Sequence, residues 1–195
     1  MSLNREDLYS LEQYSEMRSE YRSKVMQHKK DRSVPLGPNV TLYFEDSLTI
    51  QYQIQEMLRI EKIFDAAGIN EELETYNPLI PDGDNWKATF MVEFTDVDAR
   101  RKALAEWIGI EKTVWVKVGN FDKVYAICNE DLERENEDKT SSVHFMRFQL
   151  SDEMVAGACA GEPISAGIDL EHYHQLEMPL EERFQQALRA DLNCG

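Results

Sequence analysis

The sequence predicts one α+β domain, in which a long N-terminal helix and several further helices pack on a mixed, mainly antiparallel sheet. Three observations predict this fold class. At 195 residues, the chain fits a single domain, here residues 1–195, which buries roughly 70% of its unfolded surface. Apolar residues recur at spacings of three and four in some segments and alternate with polar residues in others. These segments follow one another without the regular strand–helix rhythm of a doubly wound sheet.

Residues 1–32 are predicted to form the long N-terminal helix. Asn4 and Asp7 resemble a capping box that would open it. An amphipathic seam follows at helical spacing, formed by Leu8, Leu11, Tyr14, Met17, Tyr21 and Val25. A single seam leaves two alternatives open: a helix packed along its whole length, or one partly detached from the rest of the domain.

A second helix is predicted from Ser47 to Asp65, with Ser47 or Asp46 as its N-cap. At about 100° per residue, its apolar side chains share one face, and Glu61 projects from the middle of that face. An isolated buried carboxylate costs several kcal/mol or takes up a proton. We therefore predict that Glu61 is buried and paired with another side chain.

Strands are predicted where apolar and polar residues alternate or where short apolar runs lie between turn residues. The predicted strands are Val40–Phe44, Trp86–Phe94, a hairpin of Val114–Val118 with Val124–Cys128, Ser142–Leu150 and Ile164–Ile168. Shorter helices are predicted after Asp96, Ser151 and Pro179. The acidic stretch of residues 129–139 is predicted to be a solvated loop or a frayed helix.

A turn-rich segment, residues 76–84, precedes the second of these strands. Its two prolines restrict the backbone, and two aliphatic side chains would otherwise be left in water. We therefore predict an ordered loop with one aliphatic side chain buried. As a candidate interaction surface it comprises Tyr76, Asn77, Pro78, Leu79 and Ile80.

The strand Ser142–Leu150 places polar residues on both of its faces. His144 shares one face with apolar residues and Arg147 shares the other. Two interpretations stay open. In the first, core contacts such as His144–Glu61 or Arg147–Glu56 satisfy these groups without any function. In the second, a pocket for an anionic ligand or a metal is formed by Gln53, Glu56, Glu61, His144 and Arg147.

Carboxylate and imidazole groups are suitable metal ligands, so Glu61 and His144 are the weak candidates for a metal site. The spacing is not that of a known metal motif. No Walker loop, GxSxG or GxGxxG occurs either, so no motif indicates a cofactor.

Composition argues against several classes of partner. A net charge of −16 and a pI near 4.6 disfavour nucleic acid and anionic membranes. No apolar run approaches the ~18 residues of a membrane span, and the N-terminus lacks the apolar core of a signal peptide. These features predict a cytoplasmic protein.

The three cysteines, Cys128, Cys159 and Cys194, are odd in number and far apart. Their spacing predicts neither a disulfide framework nor a structural zinc site. Cys159 is interpreted as part of a helix packing face.

Four stretches together carry a resemblance to a known family: YFEDSLTIQYQIQEMLRIEKIF, LETYNPLIPDGDNWKATFMVEF, YAICNEDLERENEDKTSSVHFMRFQL and GIDLEHY. They resemble the uncharacterised bacterial domain-of-unknown-function 3501 family from about residue 5 to the C-terminus. The resemblance supplies no catalytic residue. It implies an association with rubrerythrin-like or iron–sulfur oxidoreductase proteins, beside which family members are often encoded, and hence a role near redox or oxidative-stress metabolism.

Two functions remain, and a homo-oligomer is compatible with both. We favour a non-catalytic accessory or binding protein that uses the residue 76–82 loop and the N-terminal helix, because no nucleophile or cofactor signature is present. The alternative is a small-molecule or metal-dependent enzyme built on Glu56, Glu61, His144 and Arg147. An enclosed polar pocket formed by these side chains would favour the enzyme.

Overall fold

The computed structural model describes residues 2–128, 130 and 139–195. Its helices are α1 (Leu11–Lys29), α2 (Ser47–Glu61), α3 (Ala66–Tyr76), α4 (Val97–Glu106), α5 (Asp152–Cys159) and α6 (Glu182–Arg189). Its strands are β1 (Ser33–Pro35), β2 (Val40–Phe44), β3 (Asn85–Val92), β4 (Val114–Val118), β5 (Val124–Tyr125), β6 (Ile127–Cys128), β7 (Val143–Gln149), β8 (Ile164–Leu170) and β9 (Tyr173–Glu177). The α+β class is confirmed. The predicted acidic loop of residues 129–139 lies largely outside the described residues.

The strands form two sheets that share one core. A five-stranded sheet has the order β1-β2-β3-β7-β6, and a four-stranded sheet has the order β5-β4-β8-β9. The strand pairs described are all antiparallel. Side chains from both sheets meet in the core, including Phe90 and Phe148 from the first and Val116 and Ile168 from the second. Each sheet thus buries one face against the other, as an alternating strand pattern requires.

The predicted hairpin strand Val124–Cys128 is divided between the two sheets. Its first two residues pair with β4 as β5, and its last two pair with β7 as β6. Ala126 lies at the crossing and donates its N–H to the carbonyl of Val114. The sequence pattern predicted a strand here correctly. It did not predict that the second half of the strand pairs with β7, because that pairing depends on how the two sheets pack together.

The N-terminal helix is shorter than predicted and is docked. The Asn4–Asp7 capping box is present, but it opens only a short 3-10 turn. A second capping box, formed by Ser10 and Gln13, begins α1. Because Tyr14 is fully buried between α1 and α2, the partly detached alternative is wrong.

The prediction for Glu61 is also wrong, because Glu61 is exposed. It is the last residue of α2, and Lys62 follows with a left-handed backbone at φ 56°. The apolar face is covered at Ile50, Ile54 and Leu58, but the final helical turn extends beyond these neighbours. The angular position of a residue predicts burial only where another element covers that part of the helix.

The predicted order of the residue 76–84 loop is confirmed. Residues Asn77–Leu79 form a 3-10 turn, and Ile80 is only 5% exposed. The side chain of Asn77 bonds both backbone groups of Leu3 at 2.8 and 2.9 Å. The loop is therefore anchored at two points, by the hydrogen bonds of Asn77 and by the burial of Ile80.

A disulfide joins Cys159 to Cys194, a bond that the sequence did not predict, since the spacing indicated no disulfide framework and Cys159 was interpreted as part of a helix packing face. Cys159 ends α5, and Cys194 lies in the tail that follows α6. The two meet because the chain between them returns to α5, which spacing in the sequence cannot indicate. None of the described helices has the length and apolar character needed to cross a membrane.

Candidate functional site

The outer face of the five-stranded sheet forms the floor of a cleft. Strand register aligns side chains in rows across β2, β3 and β7. One row contains Tyr43, Thr89 and Phe145. In the neighbouring row, Lys87 lies directly opposite Arg147. Alternate residues of these strands face the core on the other side, so the floor combines apolar and charged groups.

The roof of the cleft comes from α1, α2, α3 and the 3-10 turn. Gln53 of α2 lines one part of the cleft, Pro78 lines the other, and Tyr76 and Leu79 line both. The space divides into two chambers of about 760 and 360 Å³, which share Tyr76, Leu79 and Phe145. Volumes of this order are typical of small-molecule sites.

Lys87 marks the charged end of the larger chamber. Its ammonium donates to the carbonyl of Ile80 and contacts the Asp82 carboxylate, both at 2.8 Å. Partial burial raises the pKa of Asp82, but hydrogen bonds from Lys87 and Asn85 outweigh it and lower that pKa below its ordinary value. The Lys87 side chain is 10% exposed, whereas that of Asp82 is 61% exposed.

Arg147 stands beside Lys87 and has a different carboxylate partner. Its Nε and Nη2 donate to the two oxygens of Glu130 at 2.9 and 2.8 Å, and its Nη1 donates to Gln149 at 2.8 Å. This bidentate bond lowers the pKa of Glu130. The larger chamber thus has two neighbouring cations on its floor, each paired with a carboxylate from a connecting segment.

Parts of the two predicted sites meet in this cleft. Tyr76, Pro78 and Leu79 of the interaction loop line it, together with Gln53 and Arg147 of the candidate pocket. Asn77 and Ile80 line neither chamber. They anchor the loop, Asn77 by its hydrogen bonds to Leu3 and Ile80 by its burial. The remaining members of the candidate pocket, Glu56, Glu61 and His144, lie elsewhere.

Comparison with known proteins places this architecture in a family. A family described as "Protein of unknown function (DUF3501)" matches residues 2–192. The chain belongs to this family. The resemblance seen in the sequence is thereby confirmed. A comparison of this chain with curated proteins found no match.

This chain is similar over nearly its whole length to a novel protein of unknown function from Burkholderia pseudomallei K96243, whose crystal structure is known. The two chains are 47% identical with a TM-score of 0.93, and the match covers 99% of this chain and 100% of the other. That protein has the same fold but brings no assigned activity with it.

Glu56 joins α1 to α2 and does not line the cleft. It accepts two hydrogen bonds from Arg18, at 2.7 and 2.8 Å, and one from the Tyr14 hydroxyl at 2.7 Å. The bond from Arg18 is the main reason that the pKa of Glu56 falls to about 2. The predicted contact between Arg147 and Glu56 is wrong, because each has its own partner.

Replacing Glu56 with glutamine is expected to lower the free energy of unfolding by about 1–2 kcal/mol at neutral pH. Charged hydrogen bonds contribute more than this in full burial, but Arg18 is 34% exposed and solvent screens the pair. Because the folded pKa is depressed, this stabilisation is present above the ordinary pKa of 4.5 and is lost as pH falls towards 2. Urea unfolding between neutral and acid pH measures it.

The exposed Glu20 of α1 provides the matched control, since its replacement by glutamine removes the same charge. A loss at neutral pH that is equal in both variants would contradict the role assigned to Glu56.

His144 is a core residue between the sheets. It is fully buried, with its Nε2 at 2.9 Å from the Thr140 hydroxyl and 3.1 Å from the Ser141 carbonyl. Its carboxylate neighbour is Glu111 at 4.0 Å, so the predicted partner Glu61 is wrong. Among the described residues, no cluster of three or more His, Cys, Asp or Glu side chains forms a metal site.

Sequence reasoning missed Lys87 as a residue of the candidate site. The alternation of Trp86–Phe94 assigned Lys87 to the face opposite Trp86, and the same reasoning placed Arg147 on the face opposite His144. One signal was available, because Lys87 is the only charged residue of β3. Its position opposite Arg147 depends on the register of the two strands, which the sequence does not contain.

A larger groove of about 1140 Å³ lies between the N-terminal segment, the end of α2 and α3. It includes Phe64, which is 79% exposed. Among the described residues, its charged lining residues are Arg5 and Glu6 of the N-terminal turn and Glu74 of α3. It therefore lacks the pair of neighbouring cations that the floor of the sheet cleft presents. We therefore take the sheet cleft as the candidate site.

Proposed function

We propose that this protein is a non-catalytic binding protein that holds a small organic molecule in the sheet cleft. One observation carries this proposal: the three N-terminal helices and the sheet do not close on each other, but leave two neighbouring chambers of about 760 and 360 Å³. Both chambers open to solvent, and concave spaces of this size between layers are where proteins commonly hold small molecules. A ligand also accounts for their mixed lining.

The chemistry of the lining supports recognition. Aromatic and aliphatic side chains line both chambers together with polar and charged groups, a combination that is usual in ligand sites. Lys87 and Arg147 are ion-paired. Two residues that the sequence suggested for an enzyme site, Glu56 and His144, are bonded in other parts of the fold.

Replacing Leu79 with tryptophan tests the proposal. Leu79 lines both chambers, so an indole at this position is expected to fill their junction. The probe is Nile red, an uncharged dye whose fluorescence rises in apolar surroundings. We expect saturable binding by the wild type and at least a roughly tenfold weaker affinity in Leu79→Trp, equivalent to about 1.4 kcal/mol.

Two control variants separate the cleft from other apolar surfaces. Leu176→Trp makes the same change at a 50% exposed position on β9, and Phe64→Ser alters the N-terminal groove. Both are expected to bind Nile red as the wild type does. The proposal fails if Leu79→Trp remains folded and binds the dye unchanged, or if Phe64→Ser abolishes binding instead.

Three expectations from the sequence stay predictions: association with a rubrerythrin-like or iron–sulfur oxidoreductase protein, a cytoplasmic location and assembly into homo-oligomers. Affinity capture with each partner class and sedimentation of the purified protein would test the first and third. The Cys159–Cys194 disulfide argues against a cytoplasmic location, because disulfides are rare in the cytosol.

A further inference from the structure

The chemistry of the ligand can be inferred from the charged end of the cleft. We propose that the ligand is an organic monocarboxylate, whose carboxylate binds Lys87 and Arg147 and whose apolar body lies along Tyr76, Leu79 and Phe145. This inference rests on the proposed function and adds the class of ligand to it.

The arrangement of the two cations is the first argument. Lys87 and Arg147 are direct neighbours on adjacent antiparallel strands and face the same chamber. Side chains in such positions are typically about 5 Å apart at Cβ, and like charges there are destabilising. The chain nevertheless places two cations here although its net charge is −16. Without a ligand, Asp82 and Glu130 each offset one of these charges. A ligand carboxylate placed between the two cations would offset both at once.

The exposure of each partner is the second argument. The cations extend from the rigid sheet, with side chains 10% and 26% exposed for Lys87 and Arg147. Their carboxylates come from connecting segments and are 61% and 54% exposed for Asp82 and Glu130. An exposed carboxylate returns to water at little cost, because such ion pairs contribute only about 0–1 kcal/mol. A cationic ligand would instead have to displace a cation that is largely buried.

The remaining hydrogen-bond donors are the third argument. Of the five N–H groups of Arg147, three donate to Glu130 and Gln149. Lys87 uses two of its three N–H groups, on Ile80 and Asp82. Within the described residues, three donors are thus left for a ligand, and a planar carboxylate suits the guanidinium fork.

The walls of the chamber determine the rest of the molecule. Ile127 lies opposite Arg147 on β6 and is 41% exposed, and Pro78 and Leu79 form the facing wall. An apolar chain or ring is therefore expected beyond the carboxylate. Exposed Glu74 also lines this chamber, beside Asp82 and Glu130. These three carboxylates disfavour a second negative group on the ligand, which is why we infer a monocarboxylate.

The test uses three ten-carbon probes that differ in head group: decanoate, decanol and decylammonium. Each is titrated against bound Nile red. We expect decanoate to bind about tenfold more tightly than decylammonium, with decanol between them. Arg147→Gln should lose about tenfold in affinity for decanoate, a loss of about 1.4 kcal/mol, with decanol unchanged.

Two further variants make the test specific. Glu130→Gln removes the competing carboxylate and is expected to raise the affinity for decanoate, an effect that damage to the fold would not produce. Arg183→Gln removes one positive charge from an exposed ion pair on α6 and is expected to change nothing.

The possible outcomes separate the two proposals. If decanol displaces the dye but decanoate has no advantage, or if Arg147→Gln and Arg183→Gln behave alike, the anion site is refuted while the cleft remains a ligand site. If none of the three probes displaces the dye from the wild type although Leu79→Trp weakens dye binding, the ligand class is refuted and the cleft remains a ligand site. If Leu79→Trp leaves dye binding unchanged, the proposed function is refuted as well.

Discussion

Replacing Arg32 with methionine is expected to lower the free energy of unfolding by about 3–5 kcal/mol. Arg32 is 4% exposed and connects the residues after α1 to the end of α6. Its Nη1 and Nη2 donate to the Asp191 carboxylate at 2.8 and 2.7 Å, and its Nε lies 3.0 Å from Asp46. Methionine fills much of the same volume but leaves the Asp191 carboxylate buried without its cation.

The loss should depend on pH in a direction that identifies its cause. Burial raises the pKa of Asp191, and the bonds from Arg32 oppose this. Without Arg32 the folded pKa rises further above the unfolded value, so the folded state holds its proton more tightly than the unfolded state does. Stability is then retained at low pH and lost as pH rises through the folded pKa. Arg32→Met should therefore be less destabilised at about pH 5 than at about pH 8.

Urea unfolding, followed by tryptophan fluorescence, measures both effects. Arg183→Met serves as the control, since its ion pair with Glu181 is exposed and its loss should stay within about 0.5 kcal/mol. The double variant Arg32→Met/Asp191→Leu should recover part of the stability, because no buried charge is left. A loss below about 1 kcal/mol in Arg32→Met, or one independent of pH, would refute this account.

The sequence predicted those features of the fold that depend on neighbours along the chain. The alternation in Ser142–Leu150 correctly placed His144 and Arg147 on opposite faces, because side-chain direction in a strand has a period of two. It did not predict that Val124–Cys128 would pair first with β4 and then with β7. Strand partners are chosen by contacts between distant segments, on which a local pattern carries no information.

The same distinction separates the correct and incorrect site predictions. Pro78, Leu79 and Ile80 predicted the ordered loop correctly. The backbone restriction by proline and the cost of leaving aliphatic side chains in water follow from the residues themselves, without knowledge of the fold. The burial of Glu61 was predicted wrongly because helical angle alone does not state where the covering element ends. The opposition of Lys87 and Arg147 is a matter of register, so it was accessible only from the structure.

Opening the Cys159–Cys194 disulfide is expected to lower the free energy of unfolding by roughly 3–4 kcal/mol. The bond closes a loop with a sequence separation of 35 residues, and loop-closure entropy in the unfolded chain gives an effect of this size. The folded tail keeps other anchors, because Asn193 donates its N–H to the Gly83 carbonyl at 2.8 Å and Asp191 binds Arg32. Cys194→Ser should therefore fold normally, with most of its loss arising in the unfolded state.

Urea unfolding with and without reductant measures the effect of this bond. Wild type treated with reductant and untreated Cys194→Ser should lose the same free energy, and reductant should change Cys194→Ser no further. The denaturant dependence of the unfolding free energy should also steepen in both, because an unfolded chain without the cross-link exposes more surface. Cys128 lies outside the disulfide, so Cys128→Ser is expected to keep the full response to reductant.

A midpoint that reductant leaves unchanged in the wild type would show that the bond does not stabilise the fold. Alkylation of Cys194 in the native, unreduced protein would show that the bond is not formed at all.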